Sequence, residues 1–500
     1  MEPLDLAVLV AYIATILGVG LWFARRSRTA DGFMKAGGRL PGWVIGLSLF
    51  GTYLSSNTFI GVPGKAYAGN WNAFVFSLSI PLAVFFASRY FVNYYRQSGT
   101  ISAYAQIEKR FGLWARIYVV LCYLLTQVSR SATIMLGVAI GLQQVTGWNL
   151  PAIILVSGIL ITVYTLIGGI EAVIWTDAVQ AIVLSLGAAL VAITLIFGHP
   201  DGASAALSTA VEAGKFSLGS WDPTDLATST VWVVLIYGLF INLSNFGIDQ
   251  NYVQRYHAAK DGAAARRSLW IGAMLYVPVS MLFFFIGSLL FSFYQTAPDE
   301  VAAIQSLAGE RKFEDSVLPH FMANHLPDGL GGLILAALAA AAMSTIDTSL
   351  NSSATITLKD LWGRLVRKGE AVGEAESMRV LRGATIAWGA IGTGTALLLT
   401  GNAKNILDTW WELSGMFAGG MLGLFLLGII SKRASNPGAA IGVTLGIIVI
   451  FWLKASWIPN HLKPVLNSNL TVVVGTLTIF FAGLSVSRFF PRSAGATGKT

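Results

Sequence analysis

Charge and cysteine are both scarce in this 500-residue chain, and each shortage excludes whole classes of protein. Asp, Glu, Lys and Arg together make up 12% of the residues, against about 25% in a typical soluble domain. Because Cys122 is the single cysteine, neither an intramolecular disulfide nor a metal centre of several cysteines can form. No paired nucleophile and base stand out, and the terminal GATGKT lacks the spacing of a phosphate-binding loop. We therefore predict that the chain is not an enzyme.

Long hydrophobic stretches occupy most of the sequence instead. Hydrophobic residues make up 55% of the chain, and apolar runs of about 18 residues or more, each long enough for a transmembrane helix, recur throughout. We predict an all-α integral membrane protein that forms a single transmembrane domain over residues 1–500. About thirteen spans are predicted, at residues 4–24, 42–69, 71–95, 113–146, 150–169, 173–198, 228–251, 268–294, 327–358, 380–400, 406–430, 437–456 and 468–487.

The net charge of +8 is compatible with nucleic-acid binding, but its distribution along the chain is not. If the N-terminus lies outside, 24 of the 33 Lys and Arg residues fall in inner loops and 6 in outer loops. Such a bias is the positive-inside signal that orients membrane proteins. We therefore expect no nucleic-acid partner, and a multi-pass plasma-membrane protein with its N-terminus outside and its C-terminus in the cytoplasm.

The segment 46–65, GLSLFGTYLSSNTFIGVPGK, lies in an expected span but is poorly suited to an unbroken helix. Each glycine costs about 1 kcal/mol of helix stability, and Pro63 costs about 3 kcal/mol. Inside a bilayer, the backbone groups that a break frees must find other partners or line a wet cavity. An interrupted helix near the midplane is the best sequence indication of a transporter's binding site. We therefore expect this segment to hold a ligand.

Among the ionisable side chains inside expected spans, where a charge is costly and usually functional, three are candidates for binding. Arg130 either binds a ligand or pairs with a carboxylate or backbone carbonyls to stabilise packing. Asp177 lies about one turn inside its helix, so it is a helix-dipole partner, a cation ligand or a proton relay. Asp347 lies among hydroxyl residues in the run 339–360, AAAAMSTIDTSLNSSATITLKD. Hydroxyl and carboxylate oxygens are hard ligands that suit Na⁺.

Two further features have a structural as well as a functional explanation. The cluster of Asn242, Ser244, Asn245 and Gly247 either interrupts a second helix or makes ordinary interhelical hydrogen bonds. The pair Trp410-Trp411 is expected to belong to the aromatic belt at the outer membrane interface.

Four motifs occur in the order and spacing of the sodium/solute symporter family, and the chain resembles that family over residues 4–433. They are TYLSSNTF, GGIEAVIWTDAVQ, DQNYVQRY and AAAMSTIDTSLNS. The resemblance implies a leucine-transporter-type fold, in which two inverted repeats of five helices work by alternating access. The repeats would cover 42–198 and 228–430, with 4–24 as an extra N-terminal helix and 437–487 as C-terminal helices.

The resemblance also implies which residues bind sodium. One ion would be bound by three backbone oxygens and two hydroxyl groups, those of Gly51, Leu54, Ala341, Ser344 and Thr345. A second ion would lie near Asp177, Ser344, Asp347 and Thr348. Asp347 replaces a neutral hydroxyl residue of that pattern, and this change either strengthens the cation site or makes it a proton site.

The chain looks most similar to bacterial sialic-acid/sodium symporters, which implies an inner-membrane location and a solute carboxylate on Arg130. The other implied solute contacts are Tyr53, Ser55, Ser56, Thr58 and Ser77. Two of these residues depart from the family's patterns. Tyr53 replaces an Asn of the sugar-transporting branch, and Ser77 replaces an acid in that branch and an amide in the sialate pattern.

We therefore expect a sodium-coupled symporter that imports a small organic solute, a carboxylate such as sialic acid or another sugar acid. Its expected partners are this solute, Na⁺ and the lipid bilayer, with no obligate protein partner. The alternative is a sodium symporter for a neutral sugar or polyol, in which Arg130 is structural. A membrane sensor that does not transport is a more remote alternative.

Overall fold

The chain is helical throughout the residues that the computed structural model describes, which are 3–24, 29–308, 313–327, 329–401, 406–455 and 458–490. Within these ranges the extended pairing is limited to an isolated bridge between Leu40 and Ala259. The predicted all-α fold class is therefore confirmed. The basic cluster at 25–28 and the C-terminal residues 491–500, which contribute to the predicted orientation, lie outside the described residues.

The first half of the chain contains three long helices and a series of short ones. They are α1 (Pro3–Ala24), α2 (Ala30–Lys35), α3 (Gly42–Tyr53), α4 (Val62–Ala68), α5 (Val75–Leu78), α6 (Ile80–Phe86), α7 (Val92–Ser98), α8 (Ala105–Phe111), α9 (Leu113–Thr146), α10 (Leu150–Phe197) and α11 (Ala203–Glu212). Two π-helical turns, Asn57–Gly61 and Ala87–Phe91, lead into α4 and α7.

The second half contains longer and more regular helices. They are α12 (Val231–Ile248), α13 (Gln250–Ala258), α14 (Gly262–Gln295), α15 (Pro298–Ala308), α16 (Glu314–Asn324), α17 (Leu330–Ile356), α18 (Glu374–Leu398), α19 (Ile406–Ile430), α20 (Asn436–Lys454) and α21 (Thr471–Phe489). A π-helical segment, Thr357–Val366, extends α17.

Among the described residues, 11 helices are long and apolar enough to cross a membrane. The helix α10 has 48 residues, or about 72 Å at the α-helical rise, more than twice the roughly 30 Å of a bilayer's hydrocarbon core. Its backbone breaks at Gly169, where φ is 60° and ψ is −175°. The helices α3 and α4 are each too short to span a membrane alone.

The segment 46–65 is interrupted, as its glycines and proline predict. The helix α3 ends at Tyr53, and Leu54 has an extended backbone with φ −86° and ψ 99°. The chain becomes helical again through the π turn at Asn57–Gly61 and continues into α4. The interruption falls between two helices that together are the length of one span.

A second interruption occurs, but two residues beyond the predicted cluster. The helix α12 continues through Gly247 and ends at Ile248, and Asp249 is extended and caps α13 by accepting a hydrogen bond from the Asn251 amide. The predicted span 228–251 ends within the sequence DQNYVQRY, so the residues after 251 were expected in an inner loop, but they belong to the buried helix α13. Arg255, one of the 24 Lys and Arg residues assigned to inner loops, is fully buried. It was miscounted because its ion-pair partner is distant in sequence.

The first interruption lies at the centre of the helix bundle. In their most apolar stretches α17 is 83% buried and α9 is 78% buried, whereas α1 is 17% buried. The helix α3 packs against α10, α14 and α17, and α4 packs against α14. The unwound residues Leu54 and Ser55 are therefore enclosed by protein, as irregular backbone at membrane depth requires.

Replacement of Gly169 by alanine tests the break in α10. A side chain at this positive φ is strained by about 1–3 kcal/mol, so we expect Gly169→Ala to lower the apparent melting temperature of the purified protein. The matched control is Gly394→Ala, because a Cβ atom at Gly394 in α18 meets nothing within 4 Å and alanine favours a helix. A melting temperature for Gly169→Ala equal to that of Gly394→Ala would contradict the break.

Candidate solute and cation site

The end of α3 faces α17, and hydroxyl groups of α17 bond to its last carbonyls. Ser344 Oγ donates to the carbonyl oxygens of Gly51 at 3.2 Å and Ala341 at 3.3 Å. Thr345 Oγ1 donates to the carbonyl oxygens of Thr52 at 3.4 Å and Ala341 at 3.2 Å. Three carbonyl and two hydroxyl oxygens therefore converge beside the break.

Four of the five residues expected to bind the first sodium ion belong to this group, and the fifth lies next to it. Leu54 is fully buried, and its extended backbone follows directly after α3. Thr52 was not expected here. Its carbonyl contributes because the last carbonyl groups of a helix have no amide partner within the helix. Gly51 permits the close packing of α3 on α10, since a Cβ atom there would lie 3.0 Å from the Asp177 carbonyl oxygen.

The guanidinium of Arg255 lies next to this oxygen cluster and is fully buried. Its Nη2 is 2.7 Å from Asp177 Oδ2 and 2.8 Å from the hydroxyl oxygens of both Thr52 and Thr348. Its Nε donates to Ser48 Oγ at 2.9 Å. Sequence reasoning missed Arg255 because it follows a span and resembles a charge of the inner loop.

The four residues expected around a second sodium ion each make contacts with different partners. Ser344 bonds to the end of α3, and Thr348 Oγ1 accepts a hydrogen bond from Arg255. Asp347 Oδ1 accepts from the Thr348 amide at 2.6 Å, while its Oδ2 has no hydrogen-bond partner. Asp177 Oδ2 binds Arg255, while its Oδ1 also lacks a partner. Arg255 therefore occupies the Thr348 side of the expected site.

A cavity of about 80 Å³ opens on the other side of the interruption. It is smaller than the roughly 300–1,000 Å³ of typical ligand pockets, so a large solute can enter only if the surrounding helices move. Four of the expected solute contacts line it, namely Tyr53, Ser55, Thr58 and Ser77. The structure does not bring Ser56 to the cavity lining, because its hydroxyl points towards α9 and donates to the Ile134 carbonyl at 2.7 Å.

Aromatic side chains pack around Tyr53, which lines the cavity. The ring of Tyr53 lies 5.5 Å from that of Phe246, 5.7 Å from Tyr252 and 5.0 Å from Tyr276. Asn245 Nδ2 donates to the Tyr53 hydroxyl at 2.9 Å. The Tyr53 hydroxyl also donates to Asn242 Oδ1, so Tyr53 is held in place by both packing and hydrogen bonds.

Arg130 also lines the cavity and is 6% exposed. Its Nη2 lies 3.4 Å from Asp249 Oδ2, and its guanidinium lies 5.2 Å from the centre of the Trp410 ring. Its Nη1 is buried and has no hydrogen-bond partner. The pairing with Asp249 fits a structural role, whereas the unpartnered Nη1 fits a role in binding.

The tryptophans expected in the outer aromatic belt lie at the cavity instead. Trp410 and Trp411 both line it, and Trp411 stacks on Phe76 with ring centres 5.6 Å apart. The sequence does not distinguish the two positions, because an aromatic pair near the end of a span is typical of an interface belt as well as of a cavity lining. The helix α19 packs against α9 and α12, and the Trp410 ring lies beside the Arg130 guanidinium of α9.

The chain matches the model of the "Sodium:solute symporter family" over residues 33–446. It is 34% identical to the sodium/sialic acid symporter SiaT of Proteus mirabilis, across 95% of this chain and 94% of that protein. Its identity to the sodium/sialic acid symporter NanT of Aliivibrio fischeri is 32%, across 95% and 92%. The chain belongs to the sodium/solute symporter family.

A solved structure supports the same assignment. A Na⁺-coupled sialic acid symporter in a substrate-bound, outward-open state superposes with a TM-score of 0.88 at 31% identity, over 98% of this chain and 99% of that one. A nucleobase-cation symporter, at 15% identity and a TM-score of 0.57, shares the fold. This symporter is therefore a multi-pass membrane protein with a leucine-transporter-like fold, and Na⁺ is its coupling ion.

Replacement of Arg255 by methionine tests its role in the symporter. Methionine fills similar space but leaves Asp177 buried without its positive partner, which costs about 3–5 kcal/mol. We expect Arg255→Met to lower the apparent melting temperature strongly, and the double variant with Asp177→Asn to recover part of the loss. The exposed Arg267 provides a control, Arg267→Met. Equal melting temperatures for the two methionine variants would show that the Arg255 ion pair does not stabilise the fold.

Proposed function

We propose that this symporter imports a small organic carboxylate, such as sialic acid or another sugar acid, together with Na⁺. The observation that carries the proposal is the buried Nη1 of Arg130, which has no hydrogen-bond partner and belongs to a residue that lines the cavity. A carboxylate offers a guanidinium two parallel hydrogen bonds, the geometry in which this pairing is strongest. The relatives named as sialic acid symporters are consistent with such a solute.

The proposed solute contacts surround Arg130. Tyr53, Ser55, Thr58 and Ser77 supply hydroxyl groups at the cavity lining, which suit the hydroxyls of a sugar acid. Ser56 is omitted from the proposed set because its hydroxyl is bonded to backbone elsewhere. Asn245, Tyr252, Trp410 and Trp411 are added because they line the same cavity.

A neutral sugar or polyol is the second candidate solute. It is favoured by the pairing of Arg130 with Asp249 at 3.4 Å, since a guanidinium that is already neutralised does not require a solute carboxylate. The pairing is long, however, and it leaves Nη1 unpartnered. For this reason the carboxylate is preferred.

The proposed first sodium site consists of the carbonyl oxygens of Gly51, Leu54 and Ala341 with the hydroxyls of Ser344 and Thr345. Its support is the convergence of four of these residues at hydrogen-bond distances of 3.2–3.3 Å. Hydroxyl and carbonyl oxygens are the hard ligands that alkali and alkaline-earth cations prefer. The ion would replace the long hydrogen bonds between α3 and α17.

A second sodium ion near Asp177 and Asp347 is proposed on energetic grounds. A tenfold Na⁺ gradient supplies about 1.4 kcal/mol, and one charge moved through about 100 mV supplies about 2.3 kcal/mol. A monoanionic solute cancels the charge of one Na⁺, so a single ion supplies only the concentration term. A second ion restores the contribution of the membrane potential and permits steep accumulation.

The proposed architecture has thirteen spans, with α3 and α4 forming one span and α10 forming two. Two five-span repeats, residues 42–198 and 228–430, follow an extra helix at 4–24 and precede the helices at 437–487. The interruptions at residues 54–55 and Asp249 fall in the first span of each proposed repeat, as in transporters with inverted repeats. Alternating access then exposes the cavity to either side.

The proposal also covers the location of the symporter, its chemistry and its partners. The symporter lies in the bacterial inner membrane, with its N-terminus outside and its C-terminus in the cytoplasm. It moves its solute without chemical conversion, and it needs neither nucleic acid nor an obligate protein partner.

A thermal-stability panel tests the proposed coupling and solute class. We expect a sugar acid to raise the melting temperature of the purified symporter in NaCl but not in KCl, because a ligand at about 100 times its Kd stabilises by about 2.7 kcal/mol. Sialic acid is the first probe. Glucuronate and glucose form a matched pair that differs at the carboxylate. A Na⁺-dependent shift with glucose and none with either acid would favour the neutral-solute alternative.

Replacement of Arg130 by alanine tests the carboxylate contact directly. Loss of a hydrogen bond to a charged group costs about 1.5–3 kcal/mol, so we expect about a ten- to hundredfold rise in KM for uptake into proteoliposomes. Arg130→Lys should retain part of the affinity, since it keeps the charge but loses the planar fork. Unchanged KM in Arg130→Ala, with sialic acid as the substrate, would assign Arg130 a structural role.

A further inference from the structure

The carboxylate of Asp249 lies at the interruption between α12 and α13, where it has two different partners. Its Oδ1 accepts a hydrogen bond from the Asn251 amide at 2.8 Å and caps α13. Its Oδ2 lies 3.4 Å from Nη2 of Arg130, which lines the cavity. Asp249 is 5% exposed and Arg130 is 6% exposed. The second interruption therefore places a buried carboxylate beside the guanidinium that we expect to bind the solute.

The contact of Asp249 with Arg130 is the longer of the two. A charged pair of this kind usually has a nitrogen–oxygen distance of about 2.7–2.9 Å, and Nη1 of Arg130 has no hydrogen-bond partner. The bond to the Asn251 amide has an ordinary length, and the N-terminus of a helix stabilises a negative charge. Asp249 therefore keeps a favourable partner in α13 if its contact with Arg130 is lost.

A solute carboxylate at Arg130 would compete with Asp249. The strongest pairing of a carboxylate with a guanidinium uses two nitrogen atoms, and a carboxylate on Nη1 and Nη2 meets the nitrogen atom that Asp249 contacts. One guanidinium neutralises one carboxylate, so a second buried carboxylate beside it is left uncompensated. The two carboxylates therefore repel each other, whereas a neutral solute meets no such competition.

The helix α13 connects Asp249 with the end of α3. Tyr252, in the first turn of α13, lines the cavity. Further along the helix, Arg255 donates from Nη1 to the Asn251 carbonyl oxygen at 2.9 Å and from Nη2 to the Thr52 hydroxyl at 2.8 Å. The Thr52 carbonyl oxygen accepts a hydrogen bond from Thr345, beside the proposed first sodium site. A single nine-residue helix thus contacts both the cavity and the end of α3.

We propose that Asp249 holds Arg130 while no solute is bound and yields it to the carboxylate of an acidic solute. The inference rests on the proposed contact between Arg130 and a solute carboxylate, and it makes Asp249 a positioning residue of that contact. After the exchange, Asp249 stays on the N-terminus of α13, and the extended backbone at residue 249 acts as a hinge. The resulting shift of α13 reaches Thr52 through Arg255, so binding of the acid is linked to the proposed first sodium site. A neutral solute leaves the pair of Asp249 and Arg130 intact and does not cause the shift.

Equilibrium binding of radioactive sialic acid to the purified full-length protein, in NaCl and in choline chloride, tests the exchange. We expect Asp249→Asn to bind sialic acid about tenfold more tightly than the wild type in choline chloride, because no internal carboxylate then competes for Arg130. The affinity of the wild type should rise about 5- to 150-fold with Na⁺, the usual range for coupled ligands. This ratio should be smaller in Asp249→Asn.

Two further replacements separate the charge of Asp249 from its role as a helix cap. Asp249→Ser keeps an oxygen that caps α13 and should behave as Asp249→Asn does. Asp249→Glu keeps the charge and should retain the Na⁺ dependence of the wild type. If Asp249→Asn does not fold, the comparison of the serine and glutamate variants still tests the exchange.

Asp261→Asn is the matched control for general damage. Asp261 caps α14 by accepting a hydrogen bond from the Ala264 amide at 2.7 Å, as Asp249 caps α13, but it is exposed. This variant should bind sialic acid with the affinity and the Na⁺ dependence of the wild type. Melting temperatures of all variants show which of them fold. A purely structural role of Asp249 would make its replacements bind more weakly, which is the opposite of the expected result.

Each contrary result identifies what has failed. If Asp249→Asn and Asp249→Ser bind sialic acid as the wild type does in both salts, the exchange is wrong. If they bind more weakly, Asp249 orients Arg130 permanently, which also overturns its release. In either case, loss of binding in Arg130→Ala leaves the proposed carboxylate contact intact. If Arg130→Ala binds as the wild type does, or if the wild type binds neither sialic acid nor glucuronate, the proposed solute class fails and the exchange fails with it.

Discussion

The organisation of this symporter depends on how the backbone groups freed at the end of α3 are satisfied inside a membrane-spanning bundle. Lipid cannot supply partners there, so the partners must come from neighbouring helices or from water in a cavity. Ser344 and Thr345 of α17 meet the carbonyls at the end of α3. Because each carbonyl oxygen has a second lone pair, the same oxygens that need a donor are also available to the proposed first sodium ion. In this proposal the break provides a cation site and a helix contact at once.

The buried charges connect the end of α3 with the proposed positions of the sodium ion and the solute. Thr52 accepts a hydrogen bond from Arg255 and lines the central cavity, and Thr345 bonds to the end of α3 and lines the same cavity. Two short side chains thus connect the charged cluster around Asp177 with the space beside Arg130. An ion at the proposed first sodium site would draw α3 and α17 together and also position the cavity wall. Direct contact between the proposed ion and solute sites is a physical basis for coupling, since each ligand then favours the same arrangement of helices.

The sequence predicts much of the site because its signals there are local. Glycine and proline between residues 46 and 65 predict the interruption, and hydroxyl residues around Asp347 predict a polar helix face. Residues whose roles depend on distant partners were placed wrongly. Arg255 was assigned to a loop and Trp411 to the interface belt, and Ser56 was grouped with its neighbours on the break. In each case the deciding partner lies in another helix: Asp177 for Arg255, Phe76 for Trp411 and the Ile134 carbonyl for Ser56.

By itself the sequence determined the membrane class, the helical fold and the position of the first break, because hydropathy, helix propensity and proline geometry act within a few residues. The resemblance of four motifs was sufficient to indicate the family and sodium coupling. The tertiary structure alone decided that α13 is buried and that Arg255 pairs with Asp177 beside the end of α3. These outcomes require helices far apart in sequence to meet, and the charge of a side chain does not reveal which opposite charge it will meet.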